Sequence, residues 1–168
     1  IEAMTLATKI GVMKGGVTQQ MGTPADIYTR PANTFVADFM GSPAMNLIPA
    51  RTRAEGGQTR IEIDRPGALE LHDPRHRNLP DQIILGLRPE DIGEPGQRAG
   101  ELVQTGECRV DVVEPAGADT YVVTRLGGAG VTARLSAETG ARPGQGLAFA
   151  FDLAKASYFH PERGARIG

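Results

Sequence analysis

Residues 22–46, GTPADIYTRPANTFVADFMGSPAMN, mark the point at which this chain changes character. Thr23, with Asp26 three residues on, has the form of a capping box: the hydroxyl takes an orphan N–H of the first helical turn. Pro24 stands where a helix has no use for an N–H, and Arg30-Pro31 closes the helix, because the residue before a proline is pushed out of the helical region. Asn33 caps a second short helix, in which Phe35, Val36, Phe39 and Met40 form an apolar stripe at helical spacing before Gly41 ends it. Ser42-Pro43 then predicts a stiff, extended exit, so that Gly41, Ser42, Pro43, Met45 and Asn46 read as an interdomain linker.

Upstream of this stretch, Ile1, Met4 and Ala7 recur at helical spacing and predict the end of a helix. Two short apolar runs, 10–13 and 17–21, flank Lys14-Gly15-Gly16 and predict a hairpin whose glycines supply positive φ. A hairpin is marginal alone. Its edges are therefore expected to be covered by a neighbouring molecule, a swapped partner or the β part of the chain itself.

Downstream, short strands dominate. The runs 47–52, 60–63 and 68–71 alternate with turns, and the nearly continuous apolar run 83–87 predicts an interior strand ended by Arg88-Pro89-Glu90. Residues 102–113 read as one long strand with Cys108, Val110 and Val112 on one face; 114–119 make a turn and 121–126 return antiparallel. The tip 127–130, GGAG, separates strands and lacks the Lys-Ser or Lys-Thr of a phosphate loop. Further strands follow at 131–135 and 147–152. The expected architecture is a mainly β chain, 47–168 forming an OB-like barrel, preceded by a small α+β segment over 1–46.

With 40% hydrophobic and 23% charged residues and no apolar run long enough to cross a bilayer, the chain reads as globular, and any membrane association is expected through a partner. The first residues lack the basic-then-apolar pattern of a signal peptide, which predicts a cytoplasmic location. A net charge of -2, 5% aromatic residues and no Trp argue against a nucleic-acid surface. Cys108 is the sole cysteine and sits in an apolar stretch, as a buried unreactive thiol would. His72 and His76 have metal-like spacing, but Pro74 between them breaks the helix such spacing needs; Glu62, Asp64 and Asp73 form no recognisable pair and are expected to face solvent.

The pattern GTPxxxYxxPANxFVAxFxGSPxMN resembles the end of the ATP-binding domain in ABC importers of the maltose and glycerol-3-phosphate type. Residues 2–7 resemble the segment directly after that family's switch histidine, 12–16 its last hairpin, and 85–91 (LGLRPED), 113–120 (VEPAGADT) and 151–152 the strands and turns of its TOBE-type (MOP-like) regulatory domain. The resemblance covers essentially the whole chain, and departs from the family at Gly11, Val17 and His160.

The resemblance implies the C-terminal part of a longer protein: the tail of a nucleotide-binding domain over 1–46 and the regulatory domain over 47–168. It implies a sugar or sugar-phosphate importer, homodimerisation through the regulatory domain, membrane permease subunits as partners, and a place on the inner face of the cell membrane. A cytosolic regulator is also within the family's range. Arg88, Glu90, Gly117 and Asp119 become candidate dimer or regulatory contacts, set against a plainer reading of Arg88 and Glu90 as solvated or paired charges at a strand end. No GxxxxGKS or GxxxxGKT stretch and no signature Ser-Gly-Gly occur, so ATP and magnesium are expected to be held by a domain outside this stretch. No catalytic, cofactor or metal residues are nominated. Two other functions remain open: a molybdate-type oxyanion-binding barrel, and a free-standing oligonucleotide-binding barrel.

Overall fold

A computed structural model describes residues 8–65, 68–75, 78–97 and 100–168. The helical end expected at 1–7 and His76 of the His72/His76 spacing lie outside the described residues. The fold is mainly β and OB-like. Strands β1 (Ile10–Lys14) and β2 (Val17–Gly22) form the expected hairpin, turning at Gly15-Gly16 and carrying a register irregularity between Val12 and Met13.

Helix α1 (Pro24–Thr29) starts as the sequence dictates, the Thr23 hydroxyl accepting from the Asp26 N–H at 3.1 Å; α2 (Thr34–Phe39) starts with Asn33 Oδ1 accepting from the Val36 N–H at 2.9 Å. Ile27, Val36 and Met40 pack on Val12 to make a small apolar core of their own. Phe39, expected in the stripe, is 65% exposed. It stacks on Phe35 at 6.0 Å between ring centroids, and Lys14 lies over the Phe35 ring. The hairpin makes no ladder with any strand of the barrel among the described residues, and Met13, Val17 and Met21 stand exposed. Gln20 fastens β2 to the loop after α1, donating to Arg30 O and accepting from Ala32 N–H.

The barrel is built from three antiparallel sheets. One has the order β13-β6-β3-β4-β5, formed by β3 (Asn46–Glu55), β4 (Gln58–Ile63), β5 (Leu69–Asp73), β6 (Gln82–Leu87) and β13 (Ser157–Phe159). The second is β7-β12-β8, with β7 (Ile92–Gly93), β8 (Val103–Arg109) and β12 (Gly146–Asp152); the third is β11-β10-β9, with β9 (Val112–Ala116), β10 (Asp119–Leu126) and β11 (Ala129–Ser136). Residues from all three meet in one core, including Ile48, Ile83, Leu85, Val122, Phe149 and Phe151. β6 is interior, as expected, paired to β13 on one side and β3 on the other.

Gly86 permits that packing, since a Cβ there would stand 2.6 Å from the Met45 sulfur and 2.9 Å from the Phe159 ring.

Three expectations are corrected. Residues 102–113 are two strands, not one: after Arg109 the chain leaves the second sheet, with Val110 N–H donating to Gln145 O at 2.8 Å and Asp111 N–H to Val123 O at 2.8 Å, and joins the third. This corner resets the facing, so Cys108 and Val110 are buried while Val112 is 43% exposed. The turn expected at 114–119 shrinks to Gly117-Ala118, because Glu114, Pro115 and Ala116 pair with β10. Finally, Asp73 and Glu62 are buried rather than solvent-facing.

Asp73 accepts from the Tyr158 hydroxyl at 2.7 Å and from the Arg75 N–H at 2.8 Å, with the Arg75 guanidinium at 3.1 Å. Burial alone would push this carboxyl up. The bonds from Arg75 and Tyr158 outweigh that and hold it below the ordinary aspartate value. Asp64, by contrast, is exposed at φ 65°, its carboxylate accepting from the Gly127 N–H at 2.8 Å and so tying down the tip at 127–130.

Candidate functional site: the junction of helices and barrel

Both helices end on the barrel at one side chain. The apolar strand β6 delivers Arg88 into a 3-10 turn, Pro89–Asp91, and the guanidinium, 3% exposed, points back into the protein. Nη2 donates to Tyr28 O at 2.9 Å; Nη1 donates to Ala37 O at 3.2 Å and, more closely, to Met40 O. These carbonyls belong to the last turns of α1 and α2, where unpaired acceptors gather and the helix dipole favours a cation. Neither helix carries a basic residue in its own last turn. Arg88 supplies the cation to both.

The guanidinium also lies over the Tyr28 ring, 4.1 Å from its centroid. Burial lowers the basicity of Arg88, and Tyr28, Glu90 and Asp91 partly restore it. The Tyr28 hydroxyl donates to Glu90 and is pushed up to about 12, first by burial and then by Glu90, so it stays a neutral donor. Arg88 is therefore a clamp, neither solvated nor free to reach a second subunit.

A second set of bonds joins the same parts from the far end of the chain. Thr34 N–H donates to Gly164 O and Arg166 N–H to Ala32 O, each at 2.9 Å, with a bridge between Asn33 and Ala165. Ile167 N–H donates to Tyr158 O at 2.8 Å, returning the tail to β13. The stretch 41–46 is bent at 41–43 rather than extended, and its Ser42-Pro43 bond is cis. Met45 is buried with Ala37 and Phe159. Asn46 is buried too, its amide donating to Thr132 O at 2.8 Å and accepting from Thr132 N–H at 2.9 Å as a strand would.

The remaining nominated residues separate. Glu90 and Asp119 line one small hollow with Gly93, Gln97, Arg134 and Leu135. Gly117 stands apart at the exposed β9–β10 turn with φ 71°. Sequence reasoning missed Tyr28, whose place on α1 opposite the end of β6 is a tertiary fact, and it missed Arg166. Among the described residues no three potential ligands gather as a metal ion would need.

Residues 41–92 match the MalK OB fold domain and residues 107–156 the TOBE domain. The chain is 42% identical over 173 residues to the sn-glycerol-3-phosphate import ATP-binding protein UgpC of Cupriavidus necator, covering 99% of this chain and 46% of that protein. Its counterpart in Chromohalobacter salexigens is 40% identical, with 99% and 44% covered. The trehalose import ATP-binding protein SugC of Mycobacterium tuberculosis is 35% identical over 198 residues, with 99% and 49% covered. A solved structure of the cytoplasmic molybdate-binding protein ModG aligns at a TM-score of 0.49 and 16% identity, over 69% of this chain and 96% of that one, too distant to bear on ligands. The chain spans about half the length of the curated relatives it matches. Over that span the chain carries the MalK-type OB fold and the TOBE domain and is similar to the corresponding part of ABC importer ATP-binding subunits.

Proposed function

We propose that this chain is the regulatory and dimerisation part of the ATP-binding subunit of an importer for sugars or sugar phosphates. In this reading residues 1–46 are the tail of the ATP-binding domain and 47–168 the regulatory barrel. Two barrels associate, and the pair keeps two ATP-binding domains at high effective concentration while the nucleotide interface is open. The motor's partners are membrane permease subunits, its place is the inner face of the membrane, and a cytosolic regulator acts through the barrel. ATP and magnesium belong to residues beyond this stretch.

The observation that carries the reading is the Arg88 clamp. One buried cation ties the last turns of both helices to the strand that the barrel core is built on, so the two parts move together. Glu90, Gly117 and Asp119 remain the proposed partner contacts, and Gly41, Ser42, Pro43, Met45 and Asn46 the proposed joint.

Sedimentation equilibrium tests the association. The expected result is a reversible dimer, weakened by Asp119→Arg. A chain that stays monomeric up to roughly 1 mM, equivalent to less than about 4 kcal/mol of association, overturns it.

A further inference from the structure

Beside the clamp lies a cleft of about 480 Å³ between α1, the β5 and β13 end of the barrel, and the tail of the chain. Arg30, Arg75, Arg88, Lys155 and Arg166 all reach its wall. Glu90 and Asp91 are the acids there, and both act on Arg88. Arg75 is occupied by Asp73. Among the described residues, no aspartate or glutamate comes within ion-pair distance of Arg30, Lys155 or Arg166.

The hydrogen-bond partners on this wall are main-chain and hydroxyl oxygens. Arg30 donates to Gly168 O at 3.2 Å; Arg166 donates to Ser157 Oγ at 2.8 Å and Pro31 O at 3.4 Å. Arg166 is made less basic by burial and by the nearby charge of Arg30, so like charges crowd one wall. The Nε atoms of Arg88 and Arg166 are moreover buried without a hydrogen-bond partner, an uncommon state for a native polar group. All this occurs in a chain whose net charge is -2.

The volume lies in the usual range for small-molecule sites. A bare tetrahedral anion would fill only part of it. The ring of Tyr28 and the side chain of Met45 offer apolar wall beside the cations.

We propose that this cleft binds a small organic anion of the phosphate-monoester class, its phosphoryl oxygens held among Arg30, Lys155 and Arg166 and its organic part against Tyr28 and Met45. Such a ligand touches α1, the barrel and the tail at once. The assignment is independent of the proposed dimerisation, because it reads ligand binding and not association.

Calorimetry on the whole chain in phosphate-free, low-salt buffer tests it with ribose 5-phosphate, inorganic phosphate and ribose. Ribose 5-phosphate is expected to saturate with Kd below about 1 mM, inorganic phosphate to bind at least about fivefold more weakly, and ribose not at all. Arg30 and Lys155 are exposed, so the double variant Arg30→Gln/Lys155→Gln keeps the fold, which thermal melting checks; it is expected to lose at least about tenfold in affinity, as is Arg166→Gln. Absence of saturation, or unchanged affinity in the double variant, overturns the site. Equal affinity for inorganic phosphate and the ester overturns the ligand class.

Discussion

Replacing Arg88 by Met removes the cation and keeps an unbranched apolar stem. Three main-chain acceptors, Tyr28 O, Ala37 O and Met40 O, then lose a charged donor, the bonds to Ala37 and Met40 being buried and that to Tyr28 part-buried. Hydrogen bonds to a charged group contribute about 1.5–3 kcal/mol each, so three amount to roughly 4–9 kcal/mol. Stacking on Tyr28 adds about 1 kcal/mol. Against this stands the desolvation of a guanidinium, several kcal/mol, which the variant is spared.

The expected net loss is about 2–4 kcal/mol, carried by the attachment of the helices more than by the barrel. Urea denaturation gives the magnitude, and amide hydrogen exchange gives the location. Amides of α1 and α2 are expected to lose protection first, while those of β3, β6 and β12 keep theirs. Arg88→Lys, with the charge but without the planar fork, should restore only part of the loss. A loss below about 1 kcal/mol, or one spread evenly over helices and barrel, would refute the clamp.

Three further outcomes are expected. Asp73 titrates lower in the fold than in the unfolded chain, so its contribution is present above the ordinary aspartate range and disappears as pH falls through the folded value; Asp73→Asn should flatten the acid limb of a stability–pH curve, and an unchanged limb would contradict the buried Asp73, Arg75 and Tyr158 group. Gly127 has φ 61° and a Cβ there would lie 2.5 Å from Pro49 O, whereas Gly128 has φ 79° and open space; Gly127→Ala should lower the melting stability by about 2–4 kcal/mol and Gly128→Ala by about 1 kcal/mol, and equal effects would mean the tip does not rest on β3. Cys108 is pushed up to about 11, chiefly by burial and then by Asp64 and Glu107, so iodoacetamide at pH 8 should label it only after denaturation, and rapid native labelling would place it outside the core.

Local chemistry made much of this fold legible. The caps at Thr23 and Asn33, the glycine pairs at 15–16, 56–57 and 127–128, and the apolar run of β6 each act through neighbours in sequence, and each stands where its residues require. The features that escaped were decided at long range. The strand break at Val110–Asp111 depends on acceptors at Gln145 and Val123, neither of which leaves a mark on the local pattern. Asp73 looks like a loop carboxylate until Tyr158, far along the chain, donates to it. Arg88 stands out in the sequence as a charge at the end of an apolar strand, but its inward turn rests on carbonyls of residues 28, 37 and 40, which no spacing brings together.

The helices are fastened to the barrel twice, once through Arg88 and once through residues 164–166, with α2 taking part in both. An object pinned at one spot can swivel; pinned at two separated spots, it has lost that freedom. Torque delivered to the helical side must then rotate the β side bodily, so this connection behaves as a welded bracket, and any articulation between moving parts has to be sought at some other surface of the molecule.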